Sequence, residues 1–128
     1  MFVALTALAA LAAPPTDLAV VEPGTTQMLM VEGAPAGTEV FLFVTLHGEG
    51  AGPCLGEFGG ACFDILHPGR FERAVAAPDG TVTFSIDVPE RLAGRQLSMQ
   101  AMTPRGAEGF VSQPLTIAVD ALPALAAR

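Results

Sequence analysis

The chain reads as an all-β protein, an antiparallel sandwich of about seven strands with one loop pinned by a disulfide. Three observations predict it. Short runs of alternating apolar and polar residues recur along the chain. Gly, Pro and Asp interrupt them about every ten residues, the rhythm of antiparallel strands and turns. After Ala13 no stretch of useful length carries a helical period.

Asp17–Val21 is the first edge strand, closed by the turn Glu22-Pro23-Gly24. Thr26–Glu32 is the second, where Met28 and Met30 compete with Leu29 and Val31 for the inward face. Gly33–Gly37 turns the chain into Thr38–Leu46, the central strand. Its run Val40-Phe41-Leu42-Phe43-Val44-Thr45-Leu46 is apolar enough to be buried on both faces. Val40, Leu42, Val44 and Leu46 are expected to face the core. Phe63–Leu66 is a short strand or the return leg of the preceding loop, and His67-Pro68-Gly69 ends it. Arg70–Ala77 alternates weakly. Pro78-Asp79-Gly80 is a hairpin turn by its residue types. Val82, Phe84, Ile86 and Val88 then alternate with Thr81, Thr83, Ser85 and Asp87 in the cleanest strand of the chain. Pro89–Gly94 crosses between sheets. Gln96–Met102 puts Leu97, Met99 and Ala101 inward, with Gln96, Ser98 and Gln100 outward. Thr103–Gly109 turns, and Phe110–Val119 closes the fold. Pro114 donates no ladder hydrogen bond, which predicts an edge or a bulge there. Ala121–Arg128 is a frayed tail.

The order and spacing of these strands fit an Ig-like or fibronectin-III-like sandwich in architecture only. The two cysteines lie close in sequence instead of bridging two sheets, and there is no Trp for them to pack on.

The segment from His47 to Cys62 is too rich in glycine to hold one shape unaided. Cys54 and Cys62, the only cysteines, enclose seven residues, and a disulfide between them is expected to hold the loop against the central strand. In the chain-entropy picture such a closure stabilises by about 2–3 kcal/mol. The rival is a metal site using both thiolates with His47 and His67, but the spacing matches no standard zinc pattern. No metal or cofactor is expected.

His47 and His67 flank the loop as turn residues. The alternatives are a base paired with Glu49 or Asp64, or a response to pH near neutrality. Glu49, Glu57 and Asp64 lack the Asp-x-Asp spacing of a calcium loop. No Gly-x-Ser-x-Gly is present, and Ser85, Ser98 and Ser112 fall within strands. An enzyme is not expected. Phe41 and Phe43 project from the outer face of the central strand, so two outcomes are open. Phe58 and Phe63 fold back with the loop and cover them, or Phe41, Phe43, Phe58, Phe63, His47 and His67 form a contact surface.

The 128 residues make one domain. Acidic side chains outnumber basic ones 13 to 6, a net charge of −7, which repels phosphate backbones and anionic membrane surfaces. All six basic residues are Arg, and Asn is absent, so no N-glycosylation sequon exists. Phe2–Ala13 is an apolar block ending at Pro14-Pro15. It is too short to span a membrane, which takes about 20 residues, and Ala10-Leu11-Ala12 supplies a small-x-small cleavage pattern. Residues 1–13 therefore read as a signal peptide, or else as a retained segment that packs into an assembly, and residues 14–128 as the domain.

Gly-Pro-Cys at 52–54, Leu-Gly at 55–56, Gly-Gly-Ala-Cys at 59–62, Asp64-Ile65-Leu66 and Ala77-Pro78-Asp79-Gly80-Thr81 carry a resemblance. Over residues 17–119 the chain resembles secreted β-sandwich modules from GC-rich bacterial genomes of myxobacterial and planctomycete type. The resemblance implies an extracellular or cell-surface role and supplies no catalytic residue. The expected function is a secreted or surface-attached, non-enzymatic structural or adhesive module. It acts through protein–protein contacts or self-assembly, including strand addition at exposed edges. The alternative is a carbohydrate- or small-ligand-binding module using the loop 47–69, against which stands the absence of Trp and Tyr.

Overall fold

The computed structural model of the chain describes residues 2–5, 19–105 and 109–121. Ten short strands follow in order: β1 (Phe2–Leu5), β2 (Ala19–Val21), β3 (Thr25–Val31), β4 (Glu39–Thr45), β5 (Cys54–Leu55), β6 (Ala61–Cys62), β7 (Gly69–Val75), β8 (Val82–Val88), β9 (Gln96–Met102) and β10 (Leu115–Val119). They form a three-stranded sheet β1-β3-β8, a five-stranded sheet β2-β10-β9-β4-β7, and the two-stranded β5-β6. The protein is all-β, as expected. The pairing is not wholly antiparallel: β1 runs parallel to β3, and β2 parallel to β10.

The two larger sheets meet across one core. Leu29 and Val31 of β3 and Phe84 and Ile86 of β8 pack in the same cluster as Leu42 of β4, Met99 of β9 and Ile117 of β10. Alternation explains β8 fully: Val82, Phe84, Ile86 and Val88 are buried while Thr83, Ser85 and Asp87 are exposed. On β3 the inward face goes to Leu29 and Val31, leaving Met28 exposed. Gln27 shares that inward face, donating from Nε2 to Thr25 Oγ1 at 2.8 Å while its Oε1 finds no partner. A buried unpaired amide oxygen costs about 1–3 kcal/mol. Gln27→Met, which keeps the volume, is therefore expected to raise stability by about 1 kcal/mol in urea unfolding.

Three expectations change. Pro78-Asp79-Gly80 is a tight turn, with Gly80 N–H bonded to Ala77 O at 2.8 Å, but it joins no hairpin. β7 pairs with β4 while β8 pairs with β3, so the turn carries the chain from one sheet to the other. It is held there by Ala34 N–H donating to Gly80 O at 3.1 Å. Secondly, Pro114 marks no edge, though the pairing with β9 does take up one extra residue there, four steps from Val111 to Leu115 against three from Met102 to Met99. The proline precedes the strand, which starts at Leu115 instead of Phe110 and lies between β2 and β9. Phe63–Leu66 is the return leg of the loop, one of its two expected forms, with a single bridge from Ile65 to Glu49. Lastly, β4 ends at Thr45, and Leu46 emerges exposed instead of facing the core. The crossing at Pro89–Gly94 holds as expected, built on a 3₁₀ turn at Glu90–Leu92. Residues 1, 6–18, 106–108 and 122–128, which include most of the expected signal segment, the middle of the Thr103–Gly109 turn and nearly all of the tail, lie outside the described residues.

The turn's own hydrogen bonds favour the ionised form of its carboxylate. Asp79 accepts from the Thr81 hydroxyl at 2.7 Å and from the Thr81 N–H at 3.1 Å. These bonds, the hydroxyl's first, hold its pKa below the ordinary aspartate value. A depressed folded pKa contributes stability that is present above the unfolded value of about 3.9 and is lost as pH falls through the folded one. Asp79→Asn is expected to flatten the acid limb of a stability–pH profile below about pH 4. Urea midpoints at neutral and acid pH then lie closer together than in the parent chain.

Candidate functional site: the disulfide-pinned loop

The segment between β4 and β7 is a long two-legged excursion. Its legs are laced by backbone bonds: Leu66 N–H to Gly48 O, Gly50 N–H to Asp64 O, Gly52 N–H to Phe63 O and Phe63 N–H to Pro53 O, all 2.8–2.9 Å. Cys54 and Cys62 face each other directly in the β5–β6 pair and are joined by a disulfide, as expected. Beyond it a 3₁₀ turn, Gly56–Phe58, closes the tip. Two glycines permit this path. A Cβ at Gly52 would collide with the carbonyl oxygen of Ile65 across the legs. Gly59 sits at φ +67°, and a Cβ there would collide with the carbonyl oxygen of Arg105 in the segment after β9.

The legs lie down on the outer face of β4 and β9. Phe58 packs edge-on against Phe41 and Phe43, each with ring centroids 5.4 Å apart, and Phe63 packs on Phe43 at 4.7 Å. With Ala61, Ile65 and Met102 these rings form a second hydrophobic cluster, separate from the one between the sheets. The four rings are at most 8% exposed. As a contact surface the quartet is corrected to a core, because the loop covers it. The guanidinium of Arg70 on β7 closes its edge, 4.9 Å above the Phe41 ring and 5.5 Å from that of Phe58. Arg70 also reaches Glu57 at 4.0 Å, but both side chains are mostly exposed, so that ion pair adds little.

Polar side chains that read as outward-facing do the fastening. Gln100 on β9, opposite Phe43 in the ladder, is fully buried. Its Oε1 accepts from Asp64 N–H at 2.8 Å, and its Nε2 donates to Asp64 Oδ2 at 3.1 Å and to Ser112 O at 2.9 Å. Ser112 Oγ in turn accepts from Ala101 N–H at 2.9 Å. At the loop's base Thr45 Oγ1 donates to Leu66 O and accepts from His47 N–H. Glu49 is held by the Thr116 hydroxyl, which also bonds Ser98 Oγ at 2.7 Å. Alternation alone could not find Gln100, since what covers that face comes from a loop remote in sequence. The one available signal was the sharing of a face with Phe41 and Phe43.

His47 and His67 are brought together at the exposed base, ring centroids 4.7 Å apart and tilted edge-on. His67 holds a left-handed backbone, φ +52°. Glu49 and Asp64, the carboxylates the sequence offers them, are turned to Thr116 and Gln100. Among the described residues the ion pairs are Arg70–Glu57 and Arg73–Glu39, so neither imidazole lies within 4.0 Å of a carboxylate. Ser98 and Ser112 direct their hydroxyls to Thr116 and Gln113. No group of three or more His, Cys, Asp or Glu among the described residues is arranged to hold a metal ion. A shallow groove of about 370 Å³ lies beside the loop and not in it, lined by Pro35, Thr38, Glu39 and Thr103–Arg105.

No protein-family model, curated protein or solved structure matches the chain. Of the side chains with chemical or adhesive reach in the loop, the aromatic ones and the acids Glu49 and Asp64 are turned to the body of the same chain. The two histidines and Glu57 remain outside. No helix among the described residues is long and apolar enough to cross a membrane.

Proposed function

We propose that the chain is a secreted or surface-attached, non-enzymatic module of Ig-like, fibronectin-III-like type, working through protein–protein contacts or self-assembly. The observation that carries this reading is the inward use of the loop. An excursion of some twenty residues that supplies an enzyme or lectin with its site is here consumed in sealing one face of a sheet. What the described residues offer outward includes strand edges, a small rim around His47 and His67, and single apolar side chains such as Phe71 and Val75.

Two further features support the reading. The order β2-β10-β9-β4-β7 beside β3-β8, with β2 set against β10, supports the Ig-like, fibronectin-III-like reading. Export fits a disulfide in a chain with no other cysteine and the apolar block with its small-x-small pattern before Pro14. A resemblance to secreted modules of myxobacterial and planctomycete type belongs to the same reading.

Light scattering coupled to size exclusion on residues 14–128 over a wide concentration range tests it, beside a glycan array. Concentration-dependent association, with no glycan retained, is the expected result. A chain that stays monomeric throughout and retains glycans through the loop 47–69 overturns it in favour of a ligand-binding module.

A further inference from the structure

We infer that the outer edge of β3 is a self-pairing seam: with residues 1–13 removed, β3 pairs antiparallel with β3 of a second copy about a two-fold axis at Met28. The inference rests on the export reading above, since cleavage of the leading segment is what uncovers the edge.

In the described chain that edge is occupied. β1 lies along it in parallel register, Phe2 beside Met28 and Leu5 beside Val31. β3 thus accepts a strand on this side, and the strand it accepts lies within the residues expected to be cut away. What would then be exposed differs from the other edges of the molecule. β7 carries Arg70, Glu72 and Arg73, and its ladder with β4 is broken by a bulge opposite Leu42/Phe43. β2 is only three residues long. β8 bears Asp87 on its exposed face. Charge, bulge and brevity are the usual means of keeping an edge from pairing with another chain. β3, Thr25-Thr26-Gln27-Met28-Leu29-Met30-Val31, has seven residues, no charge and no proline, and an unbroken ladder to β8. Among the described residues its guard is β1.

The geometry also favours a third strand at this place. The sheet facing the five-stranded one has only β3 and β8 once β1 is gone. At about 4.8 Å per strand, two strands span far less than the width they must cover. A second copy supplies the missing strand with no new sequence. Pairing β3 with itself makes a continuous β8-β3-β3-β8 sheet across the axis. The register of full overlap centres on the middle residue, so Thr25 lies opposite Val31, Gln27 opposite Leu29, and Met28 opposite Met28. Met28 is exposed on the outer face, leaving the apolar inner face of β3 to the core.

The test starts from the full chain, with a site-specific protease sequence substituted within residues 6–13 and cut after folding. A second route leaves the chain whole. Val3→Pro and Ala4→Pro are made separately; successive N–H groups point to opposite sides, so one of the two removes a bond to β3. The intact chain is expected to be monomeric and the released chain to dimerise with rising concentration in size exclusion with light scattering. In the released chain Met28→Cys is expected to form an intermolecular disulfide on oxidation, because directly opposed residues place their Cβ atoms about 4.5–5.5 Å apart. Thr83→Cys, on the exposed face of β8, is expected not to. Met28→Lys, which sets two ammonium groups face to face, is expected to weaken the dimer at least tenfold.

A released chain that associates without cross-linking through the Met28→Cys thiol overturns the seam and leaves self-assembly standing. One that stays folded and monomeric at every concentration overturns the seam and removes self-assembly from the proposed function, leaving contact with other proteins. One that loses its urea transition on release shows β1 to be an indispensable strand, which also overturns the inference.

Discussion

Replacing Phe58 by alanine is expected to cost about 3–5 kcal/mol, the range for deleting a large buried ring. The ring is 3% exposed and meets Phe41 and Phe43 edge-on. Each such pair is worth about 0.5–1.5 kcal/mol beyond the area it buries. Collapse cannot refill the space cheaply, because Gly59 beside it is locked against the Arg105 carbonyl and the legs are laced to each other. Against a total stability of about 5–15 kcal/mol the loss leaves a marginal fold. Urea unfolding measures it, with Phe71→Ala as the control: that ring is 45% exposed, and its removal is expected to change stability by no more than about 0.5 kcal/mol. A Phe58→Ala cost below about 1 kcal/mol would mean that the loop rests on the sheet without being part of its core.

The sandwich was legible wherever one face of a strand is wet. β8 alternates without exception, and its inward residues follow from period two alone, although the alternation runs one residue further, to Thr81, than the strand does. The disulfide was legible too, since two cysteines near in sequence leave one partner each. Legibility failed where tertiary cover replaces water. Gln100 and Ser98 obey alternation, pointing away from the core between the sheets, yet both are buried because the loop lies over them. Period two says which face a residue takes and nothing about what lands on that face. The turn Pro78-Asp79-Gly80 failed for a related reason. Its residues specify a reversal of the chain, and a reversal serves a hairpin or a change of sheet equally well. The bond from Ala34 N–H to Gly80 O, a contact between two turns, decides between them. Of the candidate site, the sequence offered the four Phe residues in two arrangements. Burial selects the covered one.

Removing the disulfide with Cys54→Ser and Cys62→Ser together is expected to cost about 2–3 kcal/mol, and the way that loss combines with Phe58→Ala tells where it acts. In the loop-closure picture the bond works on the unfolded chain, by restricting the seven residues it encloses. Its loss would then add to that of Phe58, since nothing in the folded loop would move. The structure points elsewhere. Below the bond the legs keep their own ladder, with Gly50, Gly52 and Leu66 donating across, and Gln100 still grips Asp64. Above it lies only the tip, and the tip is what carries Phe58. Removing the bond therefore loosens the part that seats this ring while leaving the base fastened. Phe58→Ala should consequently cost less in the chain carrying both Cys→Ser changes than in the parent, with a coupling in the range of about 0.5–3 kcal/mol seen for residues that share one packed unit. Urea midpoints of the four proteins in the cycle, the parent without reductant, measure it. Additivity to within about 0.5 kcal/mol would assign the bond to the unfolded chain and leave the tip seated by its rings alone.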